Sequence, residues 1–96
     1  MAGQIRITPD EMRMRSREVF NQKEAFVGVI GSMTGIINQL QTEWEGEASR
    51  SFYDQFGRLQ PAFNQTTELL ETLSKQLQQT GDALERLDQD ISRQFS

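Results

Sequence analysis

The sequence predicts an all-α fold, an antiparallel helix-turn-helix hairpin, on the basis of three observations. Apolar residues recur at steps of three and four along two long stretches of the 96-residue chain, as they do on one face of a helix. The motif Trp44-Glu45-Gly46 separates the two stretches near the middle. A helix-start signal, Thr8-Pro9-Asp10-Glu11, precedes the first stretch. We expect a single domain over residues 1–96, with helix 1 at about 8–43, the turn at 44–46 and helix 2 at about 47–93.

Helix 1 begins with a capping signal. Thr8 can accept hydrogen bonds from the free N–H groups of the first turn, Pro9 suits the first helical position, and Glu11 completes a capping box. The apolar residues then step by four and three and form one stripe. The stripe consists of Phe26, Ile30, Met33, Ile37, Leu40 and Trp44, and its earlier positions are Met12, Ser16, Val19 and Lys23.

Three glycines interrupt the second half of helix 1. Each costs a helix interior about 0.5–1 kcal/mol relative to alanine, so Gly28, Gly31 and Gly35 require an explanation. One explanation is the close approach of another helix to a surface of small residues; the other is simple tolerance of glycine in a well-packed bundle. We expect a subunit interface here. Its residues are Gly28, Ser32, Gly35, Ile30, Met33 and Ile37.

The turn motif joins the two helices. Gly46 can adopt the left-handed backbone that closes a helix, at no steric cost. Trp44 is the only tryptophan, and its ring is large enough to pack across the end of the hairpin. A plainer interpretation is that Trp44 anchors the core of an unrelated helical hairpin.

Helix 2 carries the longer apolar pattern, with a seam that steps by four and three as in a coiled coil. Pro61 removes one backbone hydrogen bond and presses on the carbonyl of Gly57, so we expect a kink there with the helix continuing beyond it. The seam residues are Ala48, Phe52, Phe56, Leu59, Phe63, Thr66, Leu70, Leu73, Leu77, Thr80, Leu84, Leu87 and Ile91.

A single hairpin leaves much of this apolar surface exposed to solvent. Two rods share one seam and enclose no core, whereas burying each large apolar side chain contributes roughly 1.5–3 kcal/mol. We therefore expect two hairpins to pair into a four-helix bundle, most simply as a homodimer.

The composition argues against several classes of function. The chain contains no Cys and no His, which removes disulfides and the commonest metal ligands and general bases. We expect no catalytic residues, no metal and no cofactor. The net charge of −4 and the lack of a dense block of basic residues argue against binding to nucleic acid. No apolar run is long enough for stable membrane insertion, and residues 1–11 lack the apolar core of a cleavable signal peptide.

With the Trp44-x-Gly46 turn at the centre of a helical chain of this length, the sequence resembles the WXG family, the early-secreted-antigen-like substrates of bacterial type VII secretion. The resemblance implies an export signal near the C-terminus. Leu84, Asp88, Ile91 and Phe95 resemble the form of that signal found in Gram-positive relatives, although the tyrosine of the common form is missing. The other interpretation of these residues is ordinary seam.

The resemblance also implies a function. It predicts a protein that is exported folded, is recognised through its tail by the membrane ATPase of the secretion system, and acts outside the cell as a virulence-associated effector or export helper. It favours a homodimer. The alternative that the sequence leaves open is a cytoplasmic helical adaptor or scaffold module.

Overall fold

A computed structural model of the chain describes residues 7–44 and 46–94. Three helices follow one another: α1 (Pro9–Glu43), α2 (Glu47–Arg58) and α3 (Gln60–Gln94). α1 lies antiparallel to the other two, since Gln41 contacts Ser49 while Ser16 contacts Ser74. The molecule is a rod with extents of 75 × 22 × 21 Å. The predicted all-α helical hairpin is confirmed.

The start of α1 has the predicted capping box. The Glu11 N–H donates to the Thr8 hydroxyl at 3.1 Å, and the Thr8 N–H donates to the Glu11 carboxylate at 3.0 Å. Pro9 occupies the first helical position, where its missing N–H has no intrahelical partner to lose. The hydrogen bond from the Thr8 backbone lowers the pKa of Glu11.

The predicted second helix is divided into α2 and α3. Leu59 lies between them with helical dihedral angles, and its N–H donates to the Phe56 carbonyl at 3.1 Å, a tighter turn than that of an α-helix. α3 then begins at Gln60, which places Pro61 in its first turn. Because a first-turn residue needs no intrahelical N–H bond, the interruption comes just before the proline.

Small and polar residues form the contact between α1 and α3. The Ser16 hydroxyl donates to the Ser74 carbonyl at 2.6 Å, and the Ser74 hydroxyl donates to the Ser16 carbonyl at 3.0 Å. Gly81 of α3 is buried against the start of α1, where a Cβ added to it would lie 3.0 Å from the Pro9 carbonyl oxygen. Within residues 7–44 and 46–94 no apolar side chain is fully buried. The hairpin therefore gains close helix approach without enclosing a hydrophobic core.

The seam of helix 2 faces partly away from α1. One part of it, the shared row, is half-buried; its members are Phe56, Phe63, Leu70, Leu77 and Leu84. The remaining contact positions form an inner row that the prediction missed: Gln60, Thr67, Ser74 and Gly81. A second part of the predicted seam, the outer stripe, is exposed; it consists of Leu59, Thr66, Leu73, Thr80 and Leu87. The seam residues at its two ends, Ala48, Phe52 and Ile91, are exposed as well. The predicted seam is thus divided: only its shared row contacts α1, because only small residues allow the helices to approach this closely.

Candidate functional site

The turn ends α1 and starts α2 through two different backbone conformations. Trp44 is already extended (φ −131°, ψ 98°), and its N–H donates to the Leu40 carbonyl at 2.8 Å. Gly46 caps the start of α2 with φ 136° and ψ 178°, a region that is essentially restricted to glycine. We expected Gly46 to close the first helix in a left-handed conformation. Instead it opens the second, because the chain has left the helix at Trp44.

The indole ring of Trp44 packs on the tip of the hairpin. Its centroid lies 5.9 Å from the ring centroid of Phe52 on α2, and 43% of Trp44 remains exposed. Below the rings, the Gln41 amide donates to the Ser49 carbonyl at 2.9 Å. Ser49 is only 3% exposed. The polar pair thus closes the tip, while the two aromatic rings face outward.

An apolar flank runs along one side of the hairpin. We define it as the exposed large apolar residues that each precede a contact residue by one position: Val29, Met33, Ile36, Leu59, Leu69 and Leu73. One position along a helix is a rotation of about 100°, and in two antiparallel helices the preceding positions lie on the same side. These residues are 41–59% exposed. The flank thus presents a row of large apolar side chains to solvent.

The predicted subunit interface falls on three adjacent stripes of α1. Ile30 and Ile37 are half-buried toward the rest of the hairpin, and Met33 lies on the apolar flank at 41% exposed. Gly28, Ser32 and Gly35 share a third, exposed stripe beyond the flank. A Cβ at Gly28 or Gly35 would meet no atom within 4 Å. Intrachain contacts therefore do not explain these glycines, and their role in a subunit interface remains a prediction.

The opposite side, the charged flank, carries ion pairs between the helices. The Arg13 Nε donates to Asp82 at 3.0 Å, and another nitrogen of the same guanidinium donates to Glu85. These hydrogen bonds, that to Glu85 foremost, raise the pKa of Arg13. Only 20% of the Arg13 side chain is exposed. Arg13 therefore belongs to the contact between the helices and not to the solvated surface.

Lys23 belongs to the helix contact although it is a charged residue. Its ammonium lies 2.8 Å from the Glu24 carboxylate, 3.8 Å from Glu71 on α3 and 4.3 Å from the ring centroid of Phe20. The hydrogen bond to Glu24 raises the pKa of Lys23 despite partial burial of its stem. The aliphatic stem lies between the helices while the charged end reaches the charged flank.

The C-terminal segment of α3 extends beyond the contact between α1 and α3. Leu84 is half-buried, whereas Asp88 and Ile91 are exposed, Ile91 at 45%. Their steps of four and three place all three on one side of α3. Phe95, the fourth residue of the predicted export signal, lies outside the described residues. The described part of the predicted signal thus begins at the helix contact and ends on the exposed part of α3.

The family model described as "Proteins of 100 residues with WXG" matches residues 4–89, which include the turn, α1, α2 and most of α3. The chain belongs to the WXG100 family.

Two relatives of this WXG100 chain have similar lengths. Protein YukE of Bacillus subtilis is 36% identical over 95 residues, covering 99% of this chain and 98% of the relative. The type VII secretion system extracellular protein A of Staphylococcus aureus (strain USA300) is 30% identical over 91 residues, covering 95% and 94%. The similarity to an extracellular protein of type VII secretion confirms the family that the turn had indicated.

Solved structures show the same hairpin. EsxA of Geobacillus thermodenitrificans matches with a TM-score of 0.84 and 34% identity, covering 95% of this chain and 98% of that one. The secreted protein EsxB of Bacillus anthracis matches with a TM-score of 0.80 and 27% identity, covering 90% and 98%. Along residues 7–44 and 46–94 of this WXG100 chain, none of the helices combines the length and apolar character required to cross a bilayer.

The charged flank was the main feature that the sequence analysis missed, although the sequence contains a signal for it. Asp82 and Glu85 are three residues apart, and each follows a contact residue by one position, as does Arg13. Acidic residues that follow the contact row, together with apolar residues that precede it, indicate a charged side and an apolar side. The predicted seam, which considered apolar residues alone, could not distinguish them.

Proposed function

We propose that this WXG100 protein is exported folded by a type VII secretion system, without a cleavable signal peptide, and acts outside the cell by binding other proteins. The observation that carries the proposal is the match of nearly the whole chain to a family that includes an extracellular protein of that system. The described surface agrees with such a role, since it presents an apolar flank and an exposed C-terminal helix. In this proposal the protein is a virulence-associated effector or export helper and not an enzyme.

The proposed form is a homodimer. With no apolar side chain buried in residues 7–44 and 46–94, the hairpin retains much of its hydrophobic stabilisation for a partner. A second copy offers an identical flank, and a two-fold axis would place the two flanks together as a four-helix bundle. Co-purification of untagged protein with a tagged copy after mixing tests this pairing, and failure to exchange would favour a sister protein as the partner.

The proposed export signal, which we call the address, is recognised by the membrane ATPase of the secretion system. Its residues are Leu84, Asp88, Ile91 and Phe95. An apolar stripe with one carboxylate can dock in a groove, where a charged pair fixes its register. The test is export of the wild type against a variant with Asp88→Ala and Phe95→Ala, with helicity and dimer mass compared on the purified proteins. We expect the variant to fold, to pair and to stay inside the cell.

Two results of that test would contradict the proposal. Equal export of both proteins would show that the signal lies elsewhere in the chain. Retention of the wild type by a secretion-competent cell would instead support the cytoplasmic adaptor.

Folded export can be tested separately with a covalent lock. The hydroxyl oxygens of Ser16 and Ser74 are 3.3 Å apart, and the chain contains no cysteine. A Ser16→Cys/Ser74→Cys variant would carry one disulfide between α1 and α3, formed in the cell with a permeant oxidant. A thiol-alkylating agent in the medium prevents oxidation after export. We expect the cross-linked form in the medium; its retention, with export of the unoxidised form, would show that the hairpin must open.

A further inference from the structure

The open end of the hairpin is the point where α1 begins and α3 continues alone. Gly81 lies directly against the first turn of α1, with an ideal Cβ 3.0 Å from the Pro9 carbonyl oxygen and 3.4 Å from the Met12 Cβ. Every described residue after Glu85 is exposed. The exposed segment 86–94 is about 13 Å long at 1.5 Å per residue. α1 thus determines where the contacted part of α3 ends.

Arg13 holds this boundary in place. Its guanidinium contacts Asp82 and Glu85, which lie one turn apart on α3, and also Asp10 on its own helix at 3.0 Å. A planar guanidinium that bridges two carboxylates fixes both distance and direction. Together with Gly81, these residues form what we call the open-end clamp.

The clamp divides the residues of the proposed address. Leu84 lies between the two acidic clamp residues and is half-buried, whereas Asp88 and Ile91 lie beyond the clamp and are exposed. If the first turns of α1 separated from α3, Leu84 would become free and the exposed segment would lengthen and fray. A receptor would then have to order the helix before binding it, which weakens binding.

We propose that the open-end clamp is a positioning device for the C-terminal address: Arg13, acting through Asp82 and Glu85, keeps α3 helical and correctly oriented up to the point where Asp88 and Ile91 emerge. This rests on the proposed recognition of the tail during export. Arg13 itself touches no receptor. Its effect is to present the address as a preformed helix.

The experiment compares four variants for the exported fraction of total protein in a secretion-competent strain. Arg13→Ala removes the clamp. Arg15→Ala is the matched control, because Arg15 is 59% exposed and pairs with Glu18 on its own helix. Asp88→Ala removes the address. Gln41→Ala weakens the hairpin at the turn, far from the tail, and serves as a control for lost stability.

Purified Arg13→Ala protein should remain helical and dimeric, with faster amide hydrogen exchange confined to the last turns of α3. Its exported fraction should fall about fivefold, as expected when a binding helix must be ordered on contact. Arg15→Ala should behave as wild type. A fifth variant, Gly81→Leu, keeps Arg13 but forces the start of α1 away from α3, and it should reproduce both the exchange change and the export loss.

The outcomes distinguish this inference from the function on which it rests. Normal export of Arg13→Ala while Asp88→Ala is retained would overturn the clamp alone. An equal loss of export in Gln41→Ala, at equal loss of thermal stability, would also overturn it, since general destabilisation would then suffice. Normal export of Asp88→Ala would overturn the recognition of the tail and this inference with it.

Discussion

The inner face of the hairpin and its apolar flank use opposite kinds of residue. Between α1 and α3 the most buried positions are Ser16, Lys23, Ser74 and Gly81, whereas the flank exposes leucine, isoleucine, valine and methionine. In a self-sufficient domain the apolar residues occupy the inside. The difference indicates that the hairpin contact provides register and close approach, and that it leaves many large apolar side chains unburied.

The largest effect is expected on the apolar flank. Leu73→Asp places a charge in the middle of the proposed dimer surface and should weaken dimerisation by about 100-fold, because a buried unpaired charge is strongly unfavourable. Sedimentation equilibrium measures the dissociation constant of the dimer. Thr72→Asp, one position along and also exposed, is the control. If both variants dimerise equally well, the flank is not the interface and the contrast between inside and outside loses its functional meaning.

The inner face can be tested through the serine pair. Ser74→Ala removes the buried hydrogen bond from its hydroxyl to the Ser16 carbonyl and the 3.3 Å contact between the two hydroxyls, whereas the bond from the Ser16 hydroxyl to the Ser74 backbone carbonyl remains. It should lower the free energy of unfolding by about 1–3 kcal/mol, since the Ser16 carbonyl and hydroxyl each lose a partner. The double variant Ser16→Ala/Ser74→Ala should cost less than the sum of the single ones. Chemical denaturation at fixed protein concentration measures all three. Strict additivity would show that the two hydroxyls do not act as a pair.

Replacement of glycine by alanine can be compared at an exposed position and at a position buried between the helices. Gly35→Ala meets no atom within 4 Å and should stabilise the isolated hairpin by about 0.5–1 kcal/mol through helix propensity. Gly81→Ala brings a Cβ to 3.0 Å from the Pro9 carbonyl oxygen, so the gain should be cancelled or reversed. Thermal unfolding of both variants decides. A matching gain at Gly81 would show that the open end adjusts without cost.

If Gly35 belongs to the predicted subunit interface, its substitution should also affect association. Gly28→Leu/Gly35→Leu should then lower dimer affinity without loss of helicity, because the larger side chains keep a second helix away. Unchanged association would remove the glycines from the interface.

The smallest effect concerns the cap at the start of α1. The pKa of Glu11 is lowered below its ordinary value of 4.5, so its contribution is present at neutral pH and is lost as the pH falls through the folded-state pKa. The stability difference between wild type and Glu11→Gln should therefore be small at neutral pH and vanish once the pH has fallen below the folded-state pKa of Glu11. A series of thermal unfolding curves against pH measures it. A difference that persists in acid would assign it to the side-chain amide and not to ionisation.

Much of the fold could be predicted because the signals were local. Thr8, Pro9 and Glu11 act within one turn of helix, and Gly46 is required by its own backbone angles. The orientation of α3 could not be predicted from apolar period alone, because Leu73 and Ser74 lie on adjacent rows with the same seven-residue repeat. Which row faces α1 depends on how closely the helices approach, and that depends on both helices together.

The candidate site likewise has one part that could be predicted from local sequence and one part that depends on both helices. Trp44 and Phe52 are close in sequence, and the position of Trp44 at the hairpin tip could be anticipated from the turn. The bridge from Arg13 to Asp82 and Glu85 joins residues that only the completed hairpin brings together. Apolar pattern gives no information on such a contact; the one-position offset of the charged residues does.

The shape of the rod has a consequence for passage through a channel. The chain extends 75 Å in one direction but only 22 and 21 Å in the others. A body of this form that moves end-on presents nearly the same cross-section throughout its transit. The width that a pore must reach is then set by the number of helices side by side, whereas helix length affects only the duration of the passage. A longer hairpin could therefore travel through the same opening as a shorter one.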